Sequence, residues 1–332
     1  MFPIPTVMTA QEVLDKGLRR AAKATGKGKT KVERARRAAV AKIQTLGDTI
    51  DTTLKRYLDA VPSLERLPDF QRELVDVLVG VGDLKHELGA IDWGRDQVRR
   101  VCRQAARQAG RSSGVDEALR LRKGAYGRVS SLVNRIGPNL ESLAAMRHKL
   151  IRVPDIDPAL PTIVVAGYPN VGKSQFVAAV STGKPKVAPY PFTTQGIGVG
   201  HFERRWQRYL VVDTPGLLDR PMEDRNPIER QAIVALRHLA DVIVFLFDPT
   251  ETCGYPMAAQ ERLLAEVREA FAGTPVLEVE NKADMIRTDS PRMKVSALSG
   301  ASCAEVLEIA VATIGRREPP AFGGGSVRAT AS

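Results

Sequence analysis

Residues 163–175 read IVVAGYPNVGKSQ, and the fold is decided in this stretch. It contains G-x-x-x-x-G-K-S, running from Gly167 to Ser174. The apolar run Ile163–Ala166 predicts a strand before the loop, and Lys173–Ser181 predicts a helix after it. Strand, glycine-bearing loop and helix in that order form the setting in which this pattern becomes a phosphate site. Gly167 and Gly172 let the backbone curl so that its N–H groups point inward at phosphate oxygens. Tyr168, Pro169, Asn170, Val171 and Gln175 complete the loop around a bound nucleotide. Lys173 is expected to reach the β- and γ-phosphates, and Ser174 to offer its hydroxyl to Mg²⁺. The start of the helix adds the positive end of its dipole.

Motifs further along the chain select the base. LVVDTPG places Asp213 at the end of an apolar strand, where a carboxylate can hold Mg²⁺ through water. The N–H of Gly216 can meet the γ-phosphate. NKAD, residues 281–284, follows the strand Val276–Val279. A carboxylate at Asp284 can accept from both N1–H and N2–H₂ of guanine. Adenine offers neither donor, so a buried Asp284 would discriminate strongly. The Lys282 stem can lie across the purine, Asn281 belongs to the same motif, and Ser296-Ala297 can present a backbone N–H to guanine O6. GTP and GDP are therefore the expected ligands, with Mg²⁺ as cofactor.

Between the P-loop and Asp213 lies APYPFTTQG. One of its two threonines should complete the Mg²⁺ shell. Thr194 is preferred over Thr193 because it directly precedes the turn into the next strand. Lys173, Thr194 and Gly216 are the expected catalytic groups. The position that orients water in Ras-like enzymes holds Leu217, which cannot hydrogen-bond it. Hydrolysis must then use another group or a partner, or be slow. Asn170 is placed to ligate K⁺ near the bridging phosphates, where positive charge would assist.

Three zones organise the 332 residues. Residues 1–155 read as a helical bundle: Ile43, Leu46, Ile50 and Leu54 recur at steps of three and four, as do Leu74–Val79 and the set Leu132, Val133, Ile136, Leu140 and Leu143. Pro154, Pro158 and Pro161 mark a boundary. Residues 156–315 alternate short apolar runs with helix-length stretches, which predicts an α/β domain with a mostly parallel sheet, helices on both faces and one antiparallel hairpin edge turning through Glu203–Gln207. Residues 316–332 are expected to form a disordered tail.

Charge follows the same division. Residues 1–155 carry 30 Lys+Arg against 18 Asp+Glu, a net of +12, while residues 156–332 carry 19 against 20. Two basic stretches stand out. Arg19, Arg20, Lys27, Lys29 and Lys31 belong to the first, whose centre TGKGKTK reads as a mobile loop. Arg99, Arg103 and Arg107 recur at helical steps in the second. One such run is usually a solvated face. Two in one domain beside a neutral domain point to a polyanion, with RNA first. Trp93 and Tyr126 read as core residues rather than stacking platforms.

No run of eighteen apolar residues predicts a membrane span, and neither a signal peptide nor a lipidation box is recognisable. Cys102, Cys253 and Cys303 have no metal spacing and suit a reducing, cytoplasmic setting.

Taken together, GYPNVGKS, YPFTTQGIGVGHFE, DTPGLLDRP, NPIERQAIVALRHLADVIVFLFDPTETCGYP and NKAD resemble the Obg-related GTPases and, more closely, the nucleolar G-protein (Nog) family. FQRELVDVLVG, IDWGRDQV and YGRVSSLVNRI are similar to that family's N-terminal helical domain. The resemblance implies a GTPase that joins precursor large ribosomal subunits and contacts their rRNA through the helical domain, with neither DNA nor membrane as partner. It also implies potassium-type chemistry with an apolar residue replacing glutamine, as at Leu217. The eukaryotic C-terminal extension has no counterpart here, so the short form resembles an archaeal member. Two rival readings stay open: a nucleotide-gated RNA- or ribosome-binding module with negligible hydrolysis, and a non-ribosomal signalling GTPase.

Overall fold

The first helix starts where Thr9 and Glu12 cap each other: the Glu12 N–H donates to the Thr9 hydroxyl at 3.3 Å, and the Thr9 N–H to the Glu12 carboxylate at 2.8 Å. It is α1 (Ala10–Lys23), followed by α2 (Lys31–Asp59), α3 (Asp69–Val79), α4 (Val81–Gly110), α5 (Val115–Arg135) and α6 (Gly137–Leu150). In this computed structural model the described residues are 2–151, 153–188, 190, 196–221, 223–225 and 227–315, the side chains of 227, 228, 231 and 232 excepted. The chain divides into two units, Met1–Pro154 and Asp155 onward.

In the first unit, Ile43, Leu46, Ile50 and Leu54 of α2 are buried, as their spacing requires. Facing them, Leu84, Ile91, Val98 and Ala105 of α4 fall seven residues apart and are fully buried, the repeat of an interdigitated helix seam. The apolar series from Leu132 to Leu143 is not one helix. α5 ends at Arg135 and α6 begins at Gly137, with Pro138 in its first turn, where a missing N–H leaves no bond unmade. Both helices face the same core, so the apolar spacing runs through the break. Trp93 corrects its core reading: it is 40% exposed, and the Arg135 guanidinium lies over its ring at 4.8 Å.

α2 and α4 approach closely at Gly47, where an added Cβ would lie 2.9 Å from both Cβ and Sγ of Cys102. Burial, reinforced by the nearby Asp48 charge, pushes the Cys102 thiol up to about 12, so it packs as a neutral group. Gly47→Ala should force the helices apart and destabilise this unit by about 1–3 kcal/mol. A lower midpoint in urea, followed by far-ultraviolet circular dichroism, is the expected result. An unchanged midpoint would show that the seam has slack.

Among the described residues the second unit has seven strands in the order β2-β3-β4-β1-β5-β6-β7. These are β1 (Thr162–Ala166), β2 (Lys186–Ala188), β3 (Ile197–Arg204), β4 (Gln207–Asp213), β5 (Val242–Phe247), β6 (Val276–Glu280) and β7 (Met293–Lys294), with helices α7 (Lys173–Val180), α8 (Pro227–Leu236), α9 (Met257–Ala270) and α10 (Cys303–Ile314). β1 pairs in parallel with β4 on one side and β5 on the other. The chain thus departs from the sheet centre in both directions at the end of β1, where open α/β sheets bind ligands. β1 and β5 are buried at every position, which explains their unbroken apolar runs.

Two antiparallel pairs, β2–β3 and β3–β4, form the edge where one hairpin was expected. β2 has three residues with a mostly exposed pattern, too short to leave a period in the sequence. The expected polar turn over Glu203–Gln207 is shorter, because Arg204 already pairs with Gln207. The whole of α10 also lay outside the sequence reading, close to the proposed tail. The tail itself, 316–332, lies outside the described residues. Among the described residues, no helix is long and apolar enough to cross a membrane.

Candidate functional site

The loop after β1 turns on Gly167 (φ 135°) and Gly172 (φ 101°). At Gly172 a side chain would collide with the amide nitrogen of Asn281, so the position excludes a Cβ on steric as well as conformational grounds. A cavity of about 630 Å³ opens here. It is lined by Pro169, Asn170, Gly172, Lys173, Ser174 and Gln175 of the loop and by Pro215, Gly216 and Asp219 after β4. The residues read from GxxxxGKS and from DTPG therefore share one cavity. Asn170 takes a left-handed backbone (φ 62°) and is exposed beside the cavity. Tyr168 is buried and stacks on Tyr255 at 4.0 Å, and Val171 is buried beneath the loop.

Asn281 joins the two halves of the site. Its Nδ2 donates to the Val171 carbonyl at 2.8 Å, and its Oδ1 accepts the Ala297 N–H at 2.8 Å. Three segments distant in the chain, the P-loop, NKAD and Ser296-Ala297, are thereby tied through one buried amide. The Ala297 N–H expected to face guanine O6 is thus engaged inside the protein, and the Ser296 N–H donates to Ala301. In this structure the Ser-Ala pair shapes the loop and does not present a backbone donor. Asp284 is exposed, whereas the discrimination argument requires a covered carboxylate. A base lying over it would supply that cover.

The donors expected to meet phosphate are likewise held by internal acceptors. Lys173 Nζ donates to the carbonyls of Gly167 at 2.9 Å and Tyr168 at 2.8 Å. Burial lowers its pKa, against the opposing pull of Asp219 and Asp213. The Gly216 N–H donates to Asp219 Oδ2 at 2.6 Å. Arg225, whose side chain is fully buried, donates to the carbonyls of Gly216 and Arg220 at 3.0 Å and lies 3.8 Å from Asp219.

The Ser174 hydroxyl is in close contact with Asp213 Oδ2. Burial pushes the Asp213 carboxyl above its ordinary range, and its second oxygen, Oδ1, is buried without a hydrogen-bond partner. A hydroxyl and a carboxylate with an unmet buried oxygen, both hard ligands, fit Mg²⁺ and its waters. Thr193 and Thr194 lie outside the described residues.

Two groups were not found by sequence reading. Asp248, buried at the end of β5, accepts from Lys282 Nζ at 2.6 Å, from the Cys253 N–H at 2.8 Å and from Thr250. Burial opposes its ionisation, but these bonds outweigh that and hold its pKa down. Lys282 also donates to Thr252 at 2.7 Å, so its stem is anchored from the far end. Asp219 is the second group. The signal for Asp248 was available: a carboxylate closing an apolar strand, as at Asp213. Asp219 carried none, since only the turn at Gly216 brings it back.

In the first unit, Arg19, Arg20, Lys27, Lys29, Lys31, Arg99, Arg103 and Arg107 are all exposed. The loop before α2 is tied down by Arg37, which donates to the Lys27 carbonyl at 3.0 Å, and by Glu33, which accepts the Lys29 N–H at 2.8 Å. Asp51 lies 3.6 Å from Arg99 and partly neutralises it.

Comparison with known proteins agrees with this architecture. The family profile described as the NOG1 N-terminal helical domain matches residues 3–157, and that of nucleolar GTP-binding protein 1 matches residues 227–284. An uncharacterised protein of Methanocaldococcus jannaschii is 38% identical over 88% of this chain and 82% of its own length. Nucleolar GTP-binding protein 1 of Saccharomyces cerevisiae is 34% identical over 86% of this chain and 45% of its own. The chain therefore spans less than half of that yeast relative. A solved candidate nucleolar GTP-binding protein 1 of Plasmodium falciparum is 31% identical, covering 49% of this chain and 90% of the other, with a TM-score of 0.43. The chain belongs to the nucleolar GTP-binding protein 1 (Nog) family of GTPases.

Proposed function

We propose that this protein is a GTP-binding and GTP-hydrolysing switch that acts in assembly of the large ribosomal subunit, with its helical unit on rRNA. The observation that carries the nucleotide part is the Asn281 amide, which ties the P-loop to NKAD and to the Ser296-Ala297 loop. In this reading Lys173 and the Gly216 N–H bind the γ-phosphate, Asp284 reads the base, and Lys282, held by Asp248, covers it. Ser174, Asp213 and Thr194 would hold Mg²⁺, which when bound neutralises charge on the β- and γ-phosphates. The three cysteines, free and buried, suit a reducing cytoplasm.

Leu217 is 1% exposed and apolar, so no side chain at that position orients water. K⁺ held at Asn170 would supply positive charge instead. Single-turnover hydrolysis should be faster in potassium than in sodium chloride, and faster again with large subunits. Equal rates in all conditions would discard the potassium role. The buried Leu217 also favours a second reading, a nucleotide-gated binding module, which would show GTP binding with no turnover under any of these conditions.

The exposed cations of the helical unit, Arg19, Arg20, Lys27, Lys29, Lys31, Arg99, Arg103 and Arg107 among them, support an RNA partner. Co-sedimentation with large subunits should weaken steeply as salt rises, each phosphate contact adding about 0.7–0.9 to the slope of log K against log salt. Binding insensitive to salt, or absent at low salt, would refute the ribosomal reading.

A further inference from the structure

The hairpin between β3 and β4 ends in a feature that neither the nucleotide site nor the basic helical face uses. Arg204 and Gln207 form its last pair, so Arg205 and Trp206 alone make the turn. Both are left-handed, at φ 50° and 66°. Two-residue hairpin turns with this geometry are normally made by Asn-Gly or Gly-Gly, because side chains disfavour it. Here an arginine and a tryptophan occupy it, and Trp206 is fully exposed at 104%. An indole placed wholly in water on a strained turn contributes nothing to the folding of this unit.

The support beneath the tip is firm. Phe202 and Tyr209 stack across the hairpin at 5.1 Å with an interplanar angle of 11°. Arg204 is ion-paired to Glu308 of α10 at 2.6 Å, which fixes the strand end and removes one tip charge. Arg205, next to Trp206 in the turn, and Arg208, opposite Glu203 in the ladder, remain exposed.

We infer that Trp206 is a stacking platform for an unpaired RNA base, with Arg205 and Arg208 on the flanking phosphates. This gives the second unit an RNA contact of its own, and it rests on the ribosomal reading only in naming RNA as the polyanion. The surroundings of the ring favour this partner. A membrane-inserting aromatic has apolar neighbours. At this tip Glu203, Arg204, Arg205, Gln207 and Arg208 are all polar and exposed. An isolated aromatic face flanked by two exposed arginines suits a single strand: the base stacks while guanidinium groups meet the backbone. Duplexes keep their bases stacked inside and offer no such face.

The test uses the full chain carrying Trp93→Phe, so that Trp206 is its sole tryptophan emitter. Titration with single-stranded oligoadenylate RNA should quench its emission, and the matching duplex should not. Trp206→Ala should weaken single-strand binding by about 5–100-fold without changing the salt slope, and Trp206→Phe should restore most of it. Arg205→Gln with Arg208→Gln should lower that slope by about 1–1.5. Emission unmoved by the single strand, while Arg99→Gln, Arg103→Gln and Arg107→Gln together abolish RNA binding, would overturn this inference and leave the ribosomal reading standing. No RNA binding by the starting protein would overturn both. A response to phosphatidylglycerol vesicles but not to oligoadenylate would overturn it in favour of a membrane surface.

Discussion

Asp284→Asn should lower affinity for GTP by roughly 10³–10⁴-fold and raise affinity for xanthosine triphosphate. A carboxylate can accept from both N1–H and N2–H₂ of guanine. An asparagine there sets its own amide N–H against the guanine N2–H₂, two donors facing each other. Xanthine carries a carbonyl at that carbon, and the asparagine amide matches it. Because Asp284 is exposed, fold stability should move by no more than about 0.5 kcal/mol. The loss would therefore report base recognition. Competition against a fluorescent guanine nucleotide measures it, and an unchanged preference for GTP would mean that the base is read by another group.

Lys173→Ala should weaken GTP binding by about 10²–10³-fold and take hydrolysis below detection. The ammonium is buried beside two carboxylates, Asp213 and Asp219, and its positive charge favours the ionised form of Asp213. Its removal leaves those carboxylates facing an incoming triphosphate without that counter-charge. GDP, which lacks the γ-phosphate, should lose less. Lys173→Met keeps most of the side-chain volume and serves as the packing control. Calorimetric titration with GTP and GDP separates the two ligands. Equal losses for both would confine the lysine's role to the β-phosphate, and no loss for either would remove it from the site.

Much of the site was legible because its motifs are contiguous. GxxxxGKS, DTPG and NKAD each follow an apolar strand, and such local chemistry survives in one dimension. The helices of the first unit were legible in the same way, through apolar residues spaced by the helical repeat. Much of what could not be read depended on partners distant in sequence. Asn281 and Val171 are 110 residues apart, and Lys282 and Asp248 are 34 apart. Neither pairing leaves a local pattern, so the internal engagement of the Ala297 N–H was unforeseen. The break at Ile136–Gly137 was hidden for the opposite reason: the apolar spacing continued across it.

By itself, then, the sequence determined the order of the strands and helices that carry the phosphate and base motifs, and the separation of a basic helical segment from a neutral α/β segment. Periodicity and motif chemistry are local, and composition is a sum. The tertiary structure decided which donors are already held by internal acceptors, how Asp248 anchors Lys282, and where Asp219 meets Gly216. It also decided that Trp206 projects into solvent from a two-residue turn. These outcomes depend on burial, on the geometry of particular turns, and on hydrogen bonds such as Lys282–Asp248 that join distant segments once the sheet has assembled around β1.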